Sequence, residues 1–308
     1  MNEPSRSPLS TRIAIGRRLA HKVLETYRSK GVWAVLVGAA HKLRWIVHEL
    51  SFHPYQIKKR FGGNEYSLLI SDLFAKGWYD YPRPWPELDW VSEHLLRPGD
   101  HAVDCGANIG FTSLVFAHCV GATGKVTAIE ALPRNAEVAR VNVVLNDCSN
   151  VEVLNVAAGS HAGVVDFLAY PNGAVGSRPD MKTVKVSVDT LDSLLNGQRV
   201  DFIKIDVEAY EVEVLKGATK ILESAPALDI EIHCSLLENP KAAFKDILQI
   251  IQASRYLLWI QEQVDGEICP VRLDELDLDR VSRLEVVHLF CHPRRSALRT
   301  SQASREQQ

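Results

Sequence analysis

The run Val103-Asp104-Cys105-Gly106-Ala107-Asn108-Ile109-Gly110, followed after a second apolar stretch by Glu130, constrains this chain more than any other feature. It reads as strand, glycine-rich turn, helix, strand and acid, the order in which an open α/β sheet builds a nucleoside site. The pattern is D-x-G-x-N-x-G. A dinucleotide fingerprint asks for G-x-G-x-x-G, and Asn108 stands where the second glycine would let the backbone close on a pyrophosphate. NAD and FAD are therefore disfavoured. A phosphate-free nucleoside cofactor such as S-adenosylmethionine tolerates Asn108. No G-x-x-x-x-G-K-[ST] occurs, so a P-loop is excluded.

Each residue of this stretch has an expected task. Asp104 closes the first strand, and Gly106 and Gly110 flank the turn. Gly106 admits conformations closed to residues with a Cβ, and Gly110 lets the first helix approach the sheet. Asn108 has two readings, an amide contact to the ligand or a helix cap. Glu130 ends the second strand twenty residues beyond Gly110, where a carboxylate accepts both ribose hydroxyls of an adenosine. Ala131 and Leu132 are placed to cover one face of an adenine ring, and Ala157 and Ala158 the other. Ordinary packing also accounts for small apolar residues there.

Apolar strands alternate with helices from His101 onward: His101–Asp104, Val126–Glu130, Val151–Asn155, Phe202–Asp206 and Leu228–His233 as strands, with Pro133 opening a helix to Leu145. Val164–Ala169 and Thr183–Val188 are two extended segments around a turn-rich loop. Such alternation implies an α/β fold with a mostly parallel sheet covered on both faces, whose ligands bind at the carboxyl ends of the strands. The expected organisation is a basic, mostly helical extension over 1–60, lead-in helices and an aromatic, proline-rich turn over 61–96, the main domain over 97–292 and a loose basic tail over 293–308. Ser51 to Gly63, with Pro54 and Gly62-Gly63, reads as a break.

Residues 1–60 carry a net charge of +9 and the rest of the chain −12, for −3 in all. The basic segment has two readings, docking to an anionic surface or a solvated helical face; no nucleic-acid module accompanies it, so no nucleic-acid partner is expected. No apolar run reaches the ~18 residues of a membrane span. The best candidate, Gly31–Ala40, is too short and too far from Met1 for an ordinary signal peptide, so a cytoplasmic protein is expected. The six cysteines form no C-x-x-C and show no zinc spacing with histidine, which reads as scattered reduced thiols.

The chemistry is expected at the ends of the fourth and fifth strands. Lys204-Ile205-Asp206-Val207-Glu208-Ala209-Tyr210-Glu211 places three acids at a ligand-binding edge, where like charges raise one another's pKa unless partnered. An acidic helix N-terminus is the plainer reading for Glu208 and Glu211. In Asp229-Ile230-Glu231-Ile232-His233 the polar residues share a face by period two, and polar side chains inside a buried strand need a reason. His233 titrates near neutrality, as a general base should. It is the first candidate for that role and Asp206 the second, with Glu208 or Glu231 orienting base or substrate. Asp206 with Glu208 suggests Mg²⁺ only weakly, because the ligand set is incomplete; no metal is expected.

DCGANIG, VTAIEALPRN, VEVLNVAAG, VDTLDSLL, VDFIKIDVEAYEVEVLKGA and LDIEIH, in that order, resemble the FkbM-type methyltransferases. The resemblance covers roughly Arg97 to His233 and continues less clearly to Cys291; KIDVE and the VDTLDSL before it are its most specific pieces. It implies S-adenosylmethionine as cofactor, a Rossmann-like class I methyltransferase sheet whose last strand, Glu285–Cys291, runs antiparallel, and methyl transfer to a hydroxyl of a small-molecule acceptor such as a sugar, glycolipid or secondary metabolite. Ala209 stands where the family commonly has glycine. Two rival readings remain: a non-catalytic cofactor-binding or scaffold protein on the same fold, and an NAD-dependent oxidoreductase, which the turn disfavours. Tyr79, Tyr81, Trp85 and Tyr170 are candidates to stack on a ring of the acceptor.

Overall fold

The structure, a computed structural model, describes residues 51–170, 173–176, 182–263 and 266–294. The expected helix over Arg12–Glu49 and the tail beyond residue 294 lie outside the described residues. Among those described, no helix is long and apolar enough to cross a membrane, and all six cysteines are free thiols.

The segment read as a break is a hairpin. Strand β1 (Tyr55–Phe61) pairs antiparallel with β2 (Asn64–Ile70). Gly62 and Gly63 both have positive φ, +55° and +77°, as a two-residue hairpin turn demands. The glycines thus mark a reversal between strands rather than an end to structure, and the helical reading does not hold over 55–60. Helix α1 (Pro86–His94) follows.

The central sheet contains β3 (His101–Cys105), β4 (Lys125–Ile129), β5 (Val151–Leu154), β9 (Phe202–Ile205), β10 (Ala227–Ile232), β11 (Tyr256–Gln261), β12 (Ile268–Val271) and β13 (Val287–Pro293). Their order is β5-β4-β3-β9-β10-β13-β11-β12. The strands from β5 to β10 pair in parallel, while β13 is antiparallel to both its neighbours, where the family resemblance placed it. The edge strand β12 carries Pro270, a residue tolerated at an edge because it leaves no central ladder bond unmade. A separate three-stranded sheet joins β6 (Ala157–Ala158), β8 (Thr183–Asp189) and β7 (Gly163–Leu168) in that order.

Both faces of the main sheet are covered. One is packed by α1, by helix α2 (Phe111–Val120) and by helix α3 (Pro133–Leu145), through Leu88, Phe111, Leu114 and Val138. Helix α4 (Glu211–Lys216) and helix α5 (Pro240–Ile250) pack the other, through Val214, Leu215, Phe244 and Ile247. Pro133 opens α3 at its first turn as anticipated. Gly217 ends α4 with an ordinary φ of −85°. Its need for glycine is steric, since a Cβ there would lie 2.0 Å from the Gly159 carbonyl oxygen.

The hairpin is tied to α3 by Asn142 within the helix and Asn146 at its C-cap. Asn142, fully buried, accepts the Leu69 N–H at 2.7 Å and donates to the Ile109 carbonyl at 2.8 Å. Asn146 accepts the Ser67 N–H and donates to the Ser67 carbonyl. Together they satisfy backbone groups along β2 as a neighbouring strand would. Asn142→Ala leaves a buried donor and a buried acceptor unmade. It should cost about 2 kcal/mol and lower the thermal midpoint by roughly 4–8 °C in a calorimetric melt; an unchanged midpoint would show that the two bonds contribute nothing.

A second backbone feature follows β9. Glu208 and Ala209 both have positive φ, +53° and +70°. This conformation crowds a Cβ against the carbonyl and costs about 1–2 kcal/mol in an L-residue. Glycine is free of that penalty but loses more entropy on folding. Ala209→Gly should therefore stabilise the fold by about 0.5–1 kcal/mol, measured as the shift in urea midpoint.

Candidate functional site

Strands β3 and β9 are locked together at their carboxyl ends. The Asp206 N–H donates to the Cys105 carbonyl at 2.9 Å. Gly106 has φ +89°, and a Cβ on it would lie 1.7 Å from the Asp206 carbonyl oxygen. Only glycine allows that approach. The turn then runs through Asn108, also left-handed at φ +51°, into Gly110, the N-cap of α2 with φ +84°. A Cβ on Gly110 would sit 3.1 Å from that of Ala139, so this glycine admits α3 rather than the sheet.

Around this turn lies a cavity of ≈ 690 Å³, lined on one side by Gly106, Asn108, Glu130, Ala131 and Ala157 and on another by Asp206, Glu208, Glu231 and His233. Sequence reasoning thus brought most of its candidates to one cavity. Three belong elsewhere. Asp104 is 1% exposed and sits behind the wall, where the Ser113 hydroxyl donates to it at 2.5 Å. It braces α2 against β3. Gly110 shapes the helix start, and Leu132 packs in the small core beneath the three-stranded sheet. Asn108 is not a cap: Gly110 holds that position without any side-chain hydrogen bond.

Glu130 is buried, and each of its oxygens already accepts one backbone N–H. Oε2 takes that of Asn108 and Oε1 that of Leu132, both at 2.8 Å. Each oxygen keeps a lone pair for a further donor. Burial pushes the carboxyl up to about 7, against the pull of the two amides. The donor set suits an adenosine: a carboxylate for the ribose diol, with Ala131, Val156, Ala157 and Ala158 as small apolar walls. Thr112 and Asn135 also line this end and carried no sequence signal of their own.

At the other end, His233 stands among carboxylates. Its Nδ1 lies 3.2 Å from Glu211 Oε1. Its Nε2 lies 3.6 Å from Glu208, 3.7 Å from Glu231 and 3.9 Å from Asp206. Burial alone would lower the histidine, but the Glu211 hydrogen bond and the Asp206, Glu231 and Glu208 charges push it up to about 10. A shift of this direction favours the imidazolium at neutral pH and weighs against a neutral histidine acting as base. Burial and Glu231 raise Asp206, against Lys204 and His233.

Two basic residues that the sequence reading passed over complete the network. Lys204 is buried in β9, 3.0 Å from Asp206 and 3.6 Å from Glu231. Burial opposes its charge, but Asp206, Glu231, Asp229 and Asp104 raise it well above the ordinary range. His288 of β13 lies 3.0 Å from Asp229 and 3.6 Å from Glu231, and despite burial these two acids push it up to about 9. Their signal was the polar alternation of β10, which needs partners from the strands on either side.

Opposite the acids is an aromatic wall. The Arg83 guanidinium lies against both tryptophans, 4.3 Å from the Trp78 ring centroid and 4.4 Å from that of Trp85. Tyr79 stacks on Trp85 at 6.0 Å. Trp78, Tyr79, Arg83 and Trp85 all line the cavity. Tyr81, 57% exposed, points to solvent, and Tyr170 packs on Phe74 instead.

With this geometry in place, the chain can be set beside known proteins. The methyltransferase sdnD of Sordaria araneosa is 31% identical across 37% of this chain and 59% of its own length. The hexuronic acid methyltransferase AglP of Haloferax volcanii is 31% identical across 30% of this chain and 40% of its own. The chain thus spans about half the length of these relatives. An O-methyltransferase structure from Bacillus cereus covers 71% of this chain and 86% of its own at 13% identity and a TM-score of 0.42. The sequence profile described as the methyltransferase FkbM domain matches residues 104–258, from the acid behind the glycine turn to the strand beside β13. The chain belongs to the FkbM methyltransferase domain family.

Proposed function

We propose that this protein transfers a methyl group from S-adenosylmethionine to a hydroxyl oxygen of a sugar-like small molecule. The observation that carries the reading is the convergence, on one cavity, of the Gly106 turn and Glu130 with the Asp206–Glu231–His233 cluster. When bound, the cofactor supplies a methyl carbon already activated by a sulfonium, so the protein's task is alignment and proton removal. Glu130 holds the ribose, and the Gly106 turn sets the depth of the nucleoside. The Asp206–Glu231 pair takes the proton of the acceptor hydroxyl as its oxygen bonds to the methyl carbon and the carbon–sulfur bond breaks. Lys204 and His233 keep that pair from repelling itself apart.

The aromatic wall supports a ring-shaped acceptor. Trp78, 37% exposed, keeps aromatic surface open beside Arg83, and the Trp85 indole nitrogen and one Glu87 oxygen are buried without a hydrogen-bond partner among the described residues. A polyol satisfies both, which an apolar ring does not. The Haloferax relative, a hexuronic acid methyltransferase, points the same way.

The test is calorimetric titration with S-adenosylhomocysteine, with NAD⁺ run in parallel. Wild-type protein should bind the first and not the second. Glu130→Ala should weaken binding at least roughly 10-fold, since charge-assisted hydrogen bonds contribute about 1.5–3 kcal/mol each. Affinity should also depend on pH. The Glu130 proton must leave before both oxygens accept ribose hydroxyls, so binding tightens as pH rises through about 7, and Glu130→Gln flattens that profile. Binding of NAD⁺ alone would refute the reading. S-adenosylhomocysteine binding without turnover on any sugar hydroxyl would favour a non-catalytic protein on the same fold.

A further inference from the structure

We propose that Asp206, Glu208 and His233 form a binding site for one divalent cation of the Mn²⁺ type. The inference rests on the methyl-transfer reading only for the use made of the ion, not for its binding. Three observations carry it.

The first is spacing. One ligand atom from each of the three side chains lies within 4.8 Å of the others. The gaps from His233 Nε2, 3.6 Å to Glu208 and 3.9 Å to Asp206, exceed the ~3.2 Å of a good hydrogen bond. They fall within the span of two ligands on one ion: with bonds of roughly 2.1–2.3 Å, ligand separations run from about 3 Å for neighbours to about 4.5 Å for opposite ones.

The second is the way His233 is held. Its side chain is only 10% exposed, and Nε2 makes no hydrogen bond among the described residues. Nδ1 instead faces Glu211, whose side chain is completely buried. A buried carboxylate behind one ring nitrogen, with the other facing the oxygens of Asp206 and Glu208, is how metal-ligating histidines are oriented. The Glu211 oxygen that does not face the ring has no partner among the described residues, so orienting His233 and the Ala209 N–H is its whole visible task.

The third is charge. Asp206, Glu208, Glu211 and Glu231 surround His233, and among the described residues two further bases touch this group, Lys204 at Asp206 and Glu231 and His288 at Glu231. A dication that displaces the Nε2 proton of His233 and is held by two carboxylates and the imidazole left behind offsets that excess and takes over the role of the ring's charge. One nitrogen with carboxylate oxygens suits Mn²⁺ better than the all-oxygen shell that Mg²⁺ or Ca²⁺ takes, and there is no thiolate to favour a softer ion. With the ion at Asp206, Glu208 and His233, Glu231 is the carboxylate left to take the acceptor's proton, and the ion orients and acidifies the hydroxyl.

The test uses the full chain, stripped with EDTA and titrated with MnCl₂, with free Mn²⁺ followed by electron paramagnetic resonance. One Mn²⁺ per chain should bind, and pulsed spectra should show coupling to a single imidazole nitrogen. Glu208→Gln should weaken binding at least 10-fold. Glu211→Gln should weaken it 10- to 100-fold through ring orientation alone. Absence of nitrogen coupling in wild-type protein, or undiminished affinity in a Glu208→Gln variant that melts normally, would overturn the site; the wild-type spectrum decides even if a variant misfolds. S-adenosylhomocysteine titrated into the same samples separates the two readings. Its binding without Mn²⁺ binding sinks the metal site alone, and Mn²⁺ binding without it sinks the methyl-transfer reading alone.

Discussion

The approach of the Gly106 backbone to the Asp206 carbonyl is the constraint on which the rest of the site depends. Two parallel strands that end side by side normally diverge into separate loops. Here the missing Cβ lets one turn lie against the other, and the Asp206 N–H bonds across to Cys105. The nucleoside end of the cavity and its acidic end thus share a backbone hinge. Their separation is set by covalent geometry rather than by side-chain rotamers, which is the precision that in-line transfer between two bound molecules requires.

From that hinge the electrostatics follow. Strand β9 leaves Lys204 buried two residues before Asp206, and β10 brings Asp229 and Glu231 to the same face. Charges placed so close in a low-dielectric interior survive only as a network. Lys204, His233 and His288 thread between the acids, each pushed toward its charged form by several neighbours. The turn after β9 is equally committed, since two successive non-glycine residues adopt the left-handed conformation so that Glu208 returns to the cavity wall.

The fold was largely legible because its signals are local. Apolar runs, the D-x-G-x-N-x-G turn, Pro133 at a helix start and the acid after β4 each report on neighbouring residues. What was missed depends on pairs distant in sequence. Nothing near Lys204 or His288 announces that they meet across β10, and nothing near Asp104 says that Ser113 draws it behind the wall. Pro54 with Gly62-Gly63 read as a break because turn residues without visible alternation hide a half-exposed hairpin. The position of His233 just past β10 was readable from the strand pattern, but its protonation is a property of Glu211, Asp206, Glu231 and Glu208 together. That sum is readable only once the strands are in register.

The paired asparagines Asn142 and Asn146 have a consequence beyond anchoring. An outer strand of a small sheet presents its N–H and C=O groups to whatever strand arrives, including one from another molecule. Along β2 those at Ser67 and the N–H of Leu69 are already occupied by Asn142 and Asn146. The hairpin thereby presents a helix where an open edge would otherwise invite a neighbour. At those positions the outer edge of β2 is thus closed to a strand arriving from another molecule.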